Sequence, residues 1–298
     1  MNNINDTLST NYLLVTLSVT RFPMSSQDSI ETRKICASTG ADEGTARVVK
    51  NIWGKEDARI KEIHAELAAA RQRHYALTLP WSPFGGKSTS QALLANSRMM
   101  EYAGMMKAHQ QRIDALLTAL EPEYAGLCQR ARYSLGTMGN DVSYPNFSDL
   151  KTSVGFRLAY DKVPACGDMS GLSLPAGIID KLSERQAAQH EAALNNAVRS
   201  AWEGVIAPLR RVVSQCNKEK TRIYDSLLGN IGAVVDSLKA FNLTGDPRMD
   251  EVADELKGLC VRYHTDDLRK SPDVRRAAAR DAEATLKKAE EVLANLPW

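Results

Sequence analysis

From Leu13 to Phe22 the apolar residues Leu13, Val15, Leu17 and Val19 alternate with Thr16, Ser18 and Thr20. A period of two, rich in β-branched residues, predicts a strand. Val154, Phe156, Leu158 and Tyr160 repeat the pattern far along the chain. A lone strand leaves its backbone unsatisfied, so these two distant segments are expected to share one small sheet.

Most of the remaining chain carries helical spacing. Between Lys55 and Leu77 the residues Ile60, Ile63, Leu67, Ala70, His74 and Leu77 step by three and four, the seam of a coiled coil or helical hairpin. After a Pro/Gly-rich connection at 80–87, Ser88 or Thr89 is expected to cap a long helix. Its buried stripe would run through Leu93, Met100, Ala103, Met106, Ile113, Leu116, Leu120, Leu127 and Ala131, with Pro122 kinking or dividing it. The stretch 136–146, "GTMGNDVSYPN", is the strongest internal breaker.

Helices resume after Pro175. Leu194, Val198, Ala201, Val205, Leu209, Val212 and Cys216 lie on one face of a long helix in which Pro208 predicts a bend. Tyr224, Leu227, Ile231, Val234, Leu238 and Phe241 mark the next, over Thr221 to Phe241, with Asn242 ending it. Asp246-Pro247 and Ser271-Pro272 each read as an N-cap followed by a first-turn proline. They open helices carrying Val252, Leu256, Leu259 and Tyr263, and then Leu286, Ala289, Leu293 and Leu296.

The expected fold is mainly α: an elongated helical bundle or set of coiled-coil hairpins with a small two-stranded or few-stranded β element. Residues 1–11 are expected to be a disordered tail and 12–298 one domain. A subdivision near 136–175 would separate a helical hairpin at 55–135 from C-terminal helices at 176–296, with β segments at 13–22 and 153–163.

Bulk composition narrows the classes. Hydrophobic residues at 43% and charged residues at 25% are globular averages. The net charge of +2, from 38 basic and 36 acidic residues, provides no global field to hold a polyanion. The largely apolar run Tyr12 to Val19 is far short of the roughly 20 residues that cross a bilayer. No Lys or Arg precedes that segment, so the N-terminus does not read as a secretory signal. Five cysteines, Cys36, Cys128, Cys166, Cys216 and Cys260, lie far apart, and reduced thiols in a cytoplasm explain them most simply.

Candidate chemistry is sparse. Gly86-Lys87-Ser88 looks like the tail of a phosphate-binding loop, but Trp81 stands where the first glycine belongs, and a helical seam precedes it instead of a strand. His64 and His74 are ten residues apart, too far for one metal. His190-Glu191 lacks the second histidine of the helical zinc motif. No cofactor, metal site or catalytic residue is expected, and the chain is not read as an enzyme.

Two basic stretches are candidates for nucleic-acid contact: Arg210, Arg211, Lys218, Lys220 and Arg222, then Arg275, Arg276 and Arg280 beside Arg269 and Lys270. Both are interleaved with acids or alanines and poor in aromatics, which suits a solvated face better than base stacking. Met99, Met100, Met105 and Met106 cluster on one helix, as soft core or as a partner-binding face. Trp81, Met99, Met100, Met106 and Trp202 are the candidate partner or packing anchors.

The strand "LLVTLSVTRF", "LTLPW" at Leu77 to Trp81, "YPNFSDLKTSVGFRLAYDKVP" at Tyr144 to Pro164 and "LKAFNLTGDPRMDEV" at Leu238 to Val252 carry a resemblance. Together they resemble a phage and prophage family catalogued as domain of unknown function number 3150, over roughly residues 12–295. The loop Gly85-Gly86-Lys87-Ser88 is not part of that pattern. The resemblance implies a phage or mobile-element product in the host cytoplasm. It also implies an adaptor or substrate-handling partner of a MoxR-like AAA+ ATPase that works with a von Willebrand factor A protein. The chain is read as non-enzymatic and acting through protein contacts, and its heptad-spaced amphipathic helices are expected to bury a seam on another copy. The alternative is a nucleic-acid-binding protein of phage replication, recombination or counter-defence.

Overall fold

The computed structural model describes residues 8–53, 57–84, 91–164, 173–218, 223–224, 227–228, 231, 235, 238, 241–243 and 245–295. The fold is mainly α with a small antiparallel β component, as the periodicities predict. Two compact units divide the chain: Met1–Thr16, His74–Tyr102 and Ala159–Trp298 form the first, Leu17–Arg73 and Ala103–Leu158 the second.

Four strands make one sheet: β1 (Tyr12–Thr20), β4 (Leu79–Pro80), β5 (Gln91–Ala95) and β6 (Gly155–Lys162), in the order β4-β5-β1-β6. The two segments of period two are neighbours in it. β1 pairs antiparallel with β5 from Tyr12↔Ala95 to Thr16↔Gln91, and β4 pairs with β5 through Leu79↔Leu93. Finding β5 corrects the sequence reading, in which Leu93 opened a helical stripe. A second, two-stranded sheet pairs β2 (Ser25–Gln27) with β3 (Val49–Asn51).

In the first unit, Leu14, Leu79, Leu93 and Ala95 from the sheet join a core with Trp202, Val205 and Leu209 of α6 (Ala176–Cys216). Val252 and Leu256 of α7 (Pro247–Arg262) and Ala278 and Ala282 of α9 (Pro272–Ala294) complete it. Leu8 is fully buried there and 8–11 are helical, so the expected disordered tail is wrong for those residues. Both predicted caps form. Asp246 accepts from the Arg248 N–H at 2.9 Å, and Ser271 Oγ from the Val274 N–H at 3.3 Å. The short helix α8 (Thr265–Lys270) lies between them in sequence. α6 runs unbroken through Pro208. Leu227, Ile231, Val235 and Leu238 are helical and buried, while Tyr224 is 59% exposed and lies off that stripe; Val234 lies outside the described residues.

The second unit is built on α1 (Ser29–Thr39), α2 (Ala58–Leu77), α3 (Met99–Leu120), α4 (Tyr124–Ser134) and α5 (Phe147–Ser153), sharing α2 and α3 with the first. Ile60, Ile63 and Leu67 meet Ile113, Leu117 and Leu120 in its core. Every residue of the predicted α2 seam, including Ala70, His74 and Leu77, is buried within this chain, so that seam is not offered to another copy. The α3–α4 break falls at a 3₁₀ turn containing Pro122, where proline removes a backbone donor. Met100 stands 84% exposed and corrects its place in the stripe: the helix begins at Met99, and the phase that buries Tyr102 and Met106 turns Met100 outward. The expected caps Ser88 and Thr89 lie outside the described residues.

A buried polar cluster ties the second unit together. The Lys50 ammonium of β3 reaches Asp28 Oδ2 at 3.2 Å, the Met138 carbonyl at 2.8 Å and the Asp141 carboxylate. Burial opposes the Lys50 charge, but Asp141 and Asp28 outweigh it and hold its pKa above the ordinary lysine value. Asp28 also caps α1, accepting from the Ile30 and Glu31 N–H groups at 3.1 and 3.0 Å. Trp53 donates Nε1–H to the Pro23 carbonyl at 2.7 Å and lies 5.0 Å from the Tyr144 ring.

Candidate protein-contact site

α7 and α9 begin at matched Asp/Ser-Pro caps and bury one face each in the core of the first unit. Their outer edges frame an open groove of about 660 Å³. Glu251, Asp254 and Glu255 line it from α7, at the i, i+3, i+4 spacing that puts three carboxylates on one helical face. Gly258 continues that face one turn later, and a Cβ built there meets nothing within 4 Å. Asp281, Ala284, Thr285 and Lys288 line the groove from α9.

Two ion pairs cross between the helices. Arg262 Nη1 meets Asp281 Oδ2 at 2.5 Å, and the Tyr263 hydroxyl donates to the same oxygen at 2.8 Å. Lys288 pairs with Glu255, which raises the lysine pKa, and the field of Glu251 adds to that shift. Four lining carboxylates, Glu251, Asp254, Glu255 and Asp281, face two lining cations, Arg262 and Lys288, leaving a formal excess of two negative charges. With Leu259 and Ala284 also among its lining residues, the groove has the make-up of a surface that receives a cationic amphipathic segment.

The basic candidates lie elsewhere. Arg210 is spent on Glu290 of α9, with Nη2 at 2.7 Å. Arg275 Nη1 donates to the Leu268 carbonyl at 3.1 Å, and so caps the end of α8. Arg276 pairs with Asp273 one turn away. Arg211, Lys218 and Arg280 are exposed; Lys220 and Arg222 lie outside the described residues.

The anchor candidates divide by burial. Trp202 and Met106 are 1% exposed and belong to the interior. Trp81 is buried with its ring edge-on to His190, centroids 5.1 Å apart, beside the Asn196 side chain, which donates to the Ser82 carbonyl at 3.0 Å. Met99 is half-buried, and Met100 projects outward.

His74, in the predicted seam, shares a 2.8 Å hydrogen bond with the buried Tyr102 hydroxyl, whose pKa burial pushes up. Cys36, Cys128, Cys216 and Cys260 are free thiols, and burial raises the last three. Cys166 and the Gly86-Lys87-Ser88 tripeptide lie outside the described residues. Among the described residues no three His, Cys, Asp or Glu side chains converge as a metal site, and no helix is long and apolar enough to cross a membrane.

Sequence reasoning passed over the groove. Its one visible signal is the run "DEVADELKG" at 250–258, where acids and then a glycine recur on one face of a helix whose other face is apolar. No family model, no curated protein and no solved structure matches the chain.

Proposed function

We propose that this chain is a non-enzymatic module that works through protein contacts, taking a cationic helical segment of a partner into the groove between α7 and α9. The open, acid-rich groove, with apolar Leu259 and Ala284 among its lining residues, carries this reading. Three of the six described basic candidates, Arg210, Arg275 and Arg276, are engaged within the fold, which leaves little continuous surface to follow a phosphate backbone. The family resemblance gives the partner a class: a MoxR-like AAA+ ATPase working with a von Willebrand factor A protein in the host cytoplasm, for which this chain serves as adaptor.

A labelled amphipathic peptide with Lys and Arg on its polar face serves as probe in fluorescence anisotropy. Glu251→Gln is expected to weaken binding several-fold, and Glu283→Gln, an exposed change on α9 outside the groove lining, to leave it unchanged. Equal effects of the two changes would remove the groove from the reading.

A further inference from the structure

β6 closes one end of the four-stranded sheet, and its outer edge carries no backbone hydrogen bond among the described residues. Edges of this kind are templates for another strand, and proteins blunt them with prolines, bulges or charged side chains. β6, "GFRLAYDK", has no proline, and its charges, Arg157, Asp161 and Lys162, are of both signs, so they repel a second strand only where like meets like. Arg157 and Asp161 are both exposed, four residues apart on one face, and neither has an ion pair among the described residues.

Consider two copies of β6 laid antiparallel about a two-fold axis perpendicular to the sheet. Residues whose numbers sum to one even total then face each other on the same side. The register centred on Ala159 sets Arg157 opposite Asp161 of the second copy, and Asp161 opposite its Arg157. On the other side it sets Leu158 against Tyr160, and Phe156 against Lys162. Sliding two residues either way puts Arg157 against Ala159 or Val163, and the charge match is lost. One register is therefore self-complementary in charge and also places ring against cation and apolar against aromatic.

We infer that β6 is a self-association edge: two copies of this chain join through antiparallel β6 strands in the Ala159-centred register, continuing the sheet from one copy into the next. The occupant is a second copy, because the edge is complementary to itself. This deepens the reading of the chain as a protein-contact module by naming one partner. It stands or falls separately from the groove, since β6 and the α7–α9 groove share no residue.

Sedimentation velocity on the full chain over a concentration series tests it. Arg157→Asp places acid opposite acid, and Asp161→Arg places base opposite base. Each single variant is expected to weaken the dimer on the order of tenfold or more. An equimolar mixture of the two restores both pairs. The acid introduced by Arg157→Asp then faces the base introduced by Asp161→Arg, and the unchanged Asp161 of the first variant faces the unchanged Arg157 of the second. Dimer is therefore expected to reappear in the mixture alone. Far-ultraviolet circular dichroism of the singles verifies that they fold. A wild-type chain that stays monomeric throughout the series overturns the inference. So does a dimer indifferent to both singles, or a mixture of folded singles that fails to associate.

Discussion

Replacing glycine by alanine at two helix-associated positions is expected to change stability in opposite directions, and the surroundings of each Cβ decide the sign. Gly258 lies within α7, and a Cβ there meets nothing within 4 Å. The substitution then acts through the backbone alone: alanine restricts the unfolded chain and stabilises a helix interior by roughly 0.5–1 kcal/mol. Gly139, in the 3₁₀ turn Gly136–Gly139, is buried, and a Cβ would come 2.6 Å from the Arg132 carbonyl oxygen and 3.2 Å from Leu135 Cβ. A main-chain oxygen cannot swing aside as a flexible side chain would. The turn must open, at a cost of about 1–3 kcal/mol typical of overpacking. The neighbouring Met138 carbonyl accepts from Lys50, so the displacement strains the buried cluster as well. Urea unfolding by circular dichroism and tryptophan fluorescence measures both changes, with the slopes checked for constancy. Gly139→Ala as stable as the parent, or Gly258→Ala less stable, would refute the packing argument.

Other outcomes follow from the same structure. Trp202→Ala, at a 1% exposed position, is expected to cost about 3–5 kcal/mol and to lower the urea midpoint steeply. Burial holds the His190 pKa below the ordinary histidine value, so the neutral ring is the folded form. Its contribution is fully present above the unfolded pKa of about 6.5 and is lost as pH falls through the folded value; the melting temperature should drop on acidification, and less so in His190→Leu. Lys50→Met leaves the buried Asp28 carboxylate without its ammonium partner, and is expected to destabilise the second unit more than Lys107→Met, at an exposed site on α3, destabilises the protein.

What the sequence made legible was whatever has a period. The α2 seam, the alternation in β1 and β6, and the Asp246 and Ser271 caps are all local patterns tied to a repeat or a fixed offset. β5 is not: "QALLA" is built from good helix formers, and only its pairing with β1 across almost eighty residues of sequence makes it a strand. A short apolar run cannot declare its class by periodicity. The β2–β3 pair escaped notice because each strand has three residues. The cluster at Lys50 joins groups 22 and 91 residues apart, a distance over which no spacing rule operates. For the groove, the acids at 251, 254 and 255 are visible in the sequence, but the α9 wall that turns a charged face into a cleft exists only after folding.

Gly258→Arg puts the groove and the basic surface to one titration. The change fills the groove with a cation from a position whose Cβ has free space, in a residue type that favours helix over glycine, so the fold should be at least as stable as the parent. Anisotropy is read with the labelled cationic amphipathic peptide and with a labelled DNA duplex, across a series of salt concentrations. A protein-contact module binds the peptide, loses it in Gly258→Arg, and shows no specific DNA complex. DNA affinity that falls steeply and linearly with the logarithm of salt, survives Gly258→Arg and disappears when Arg211 and Arg280 are replaced would contradict it, and would make those arginines the working surface.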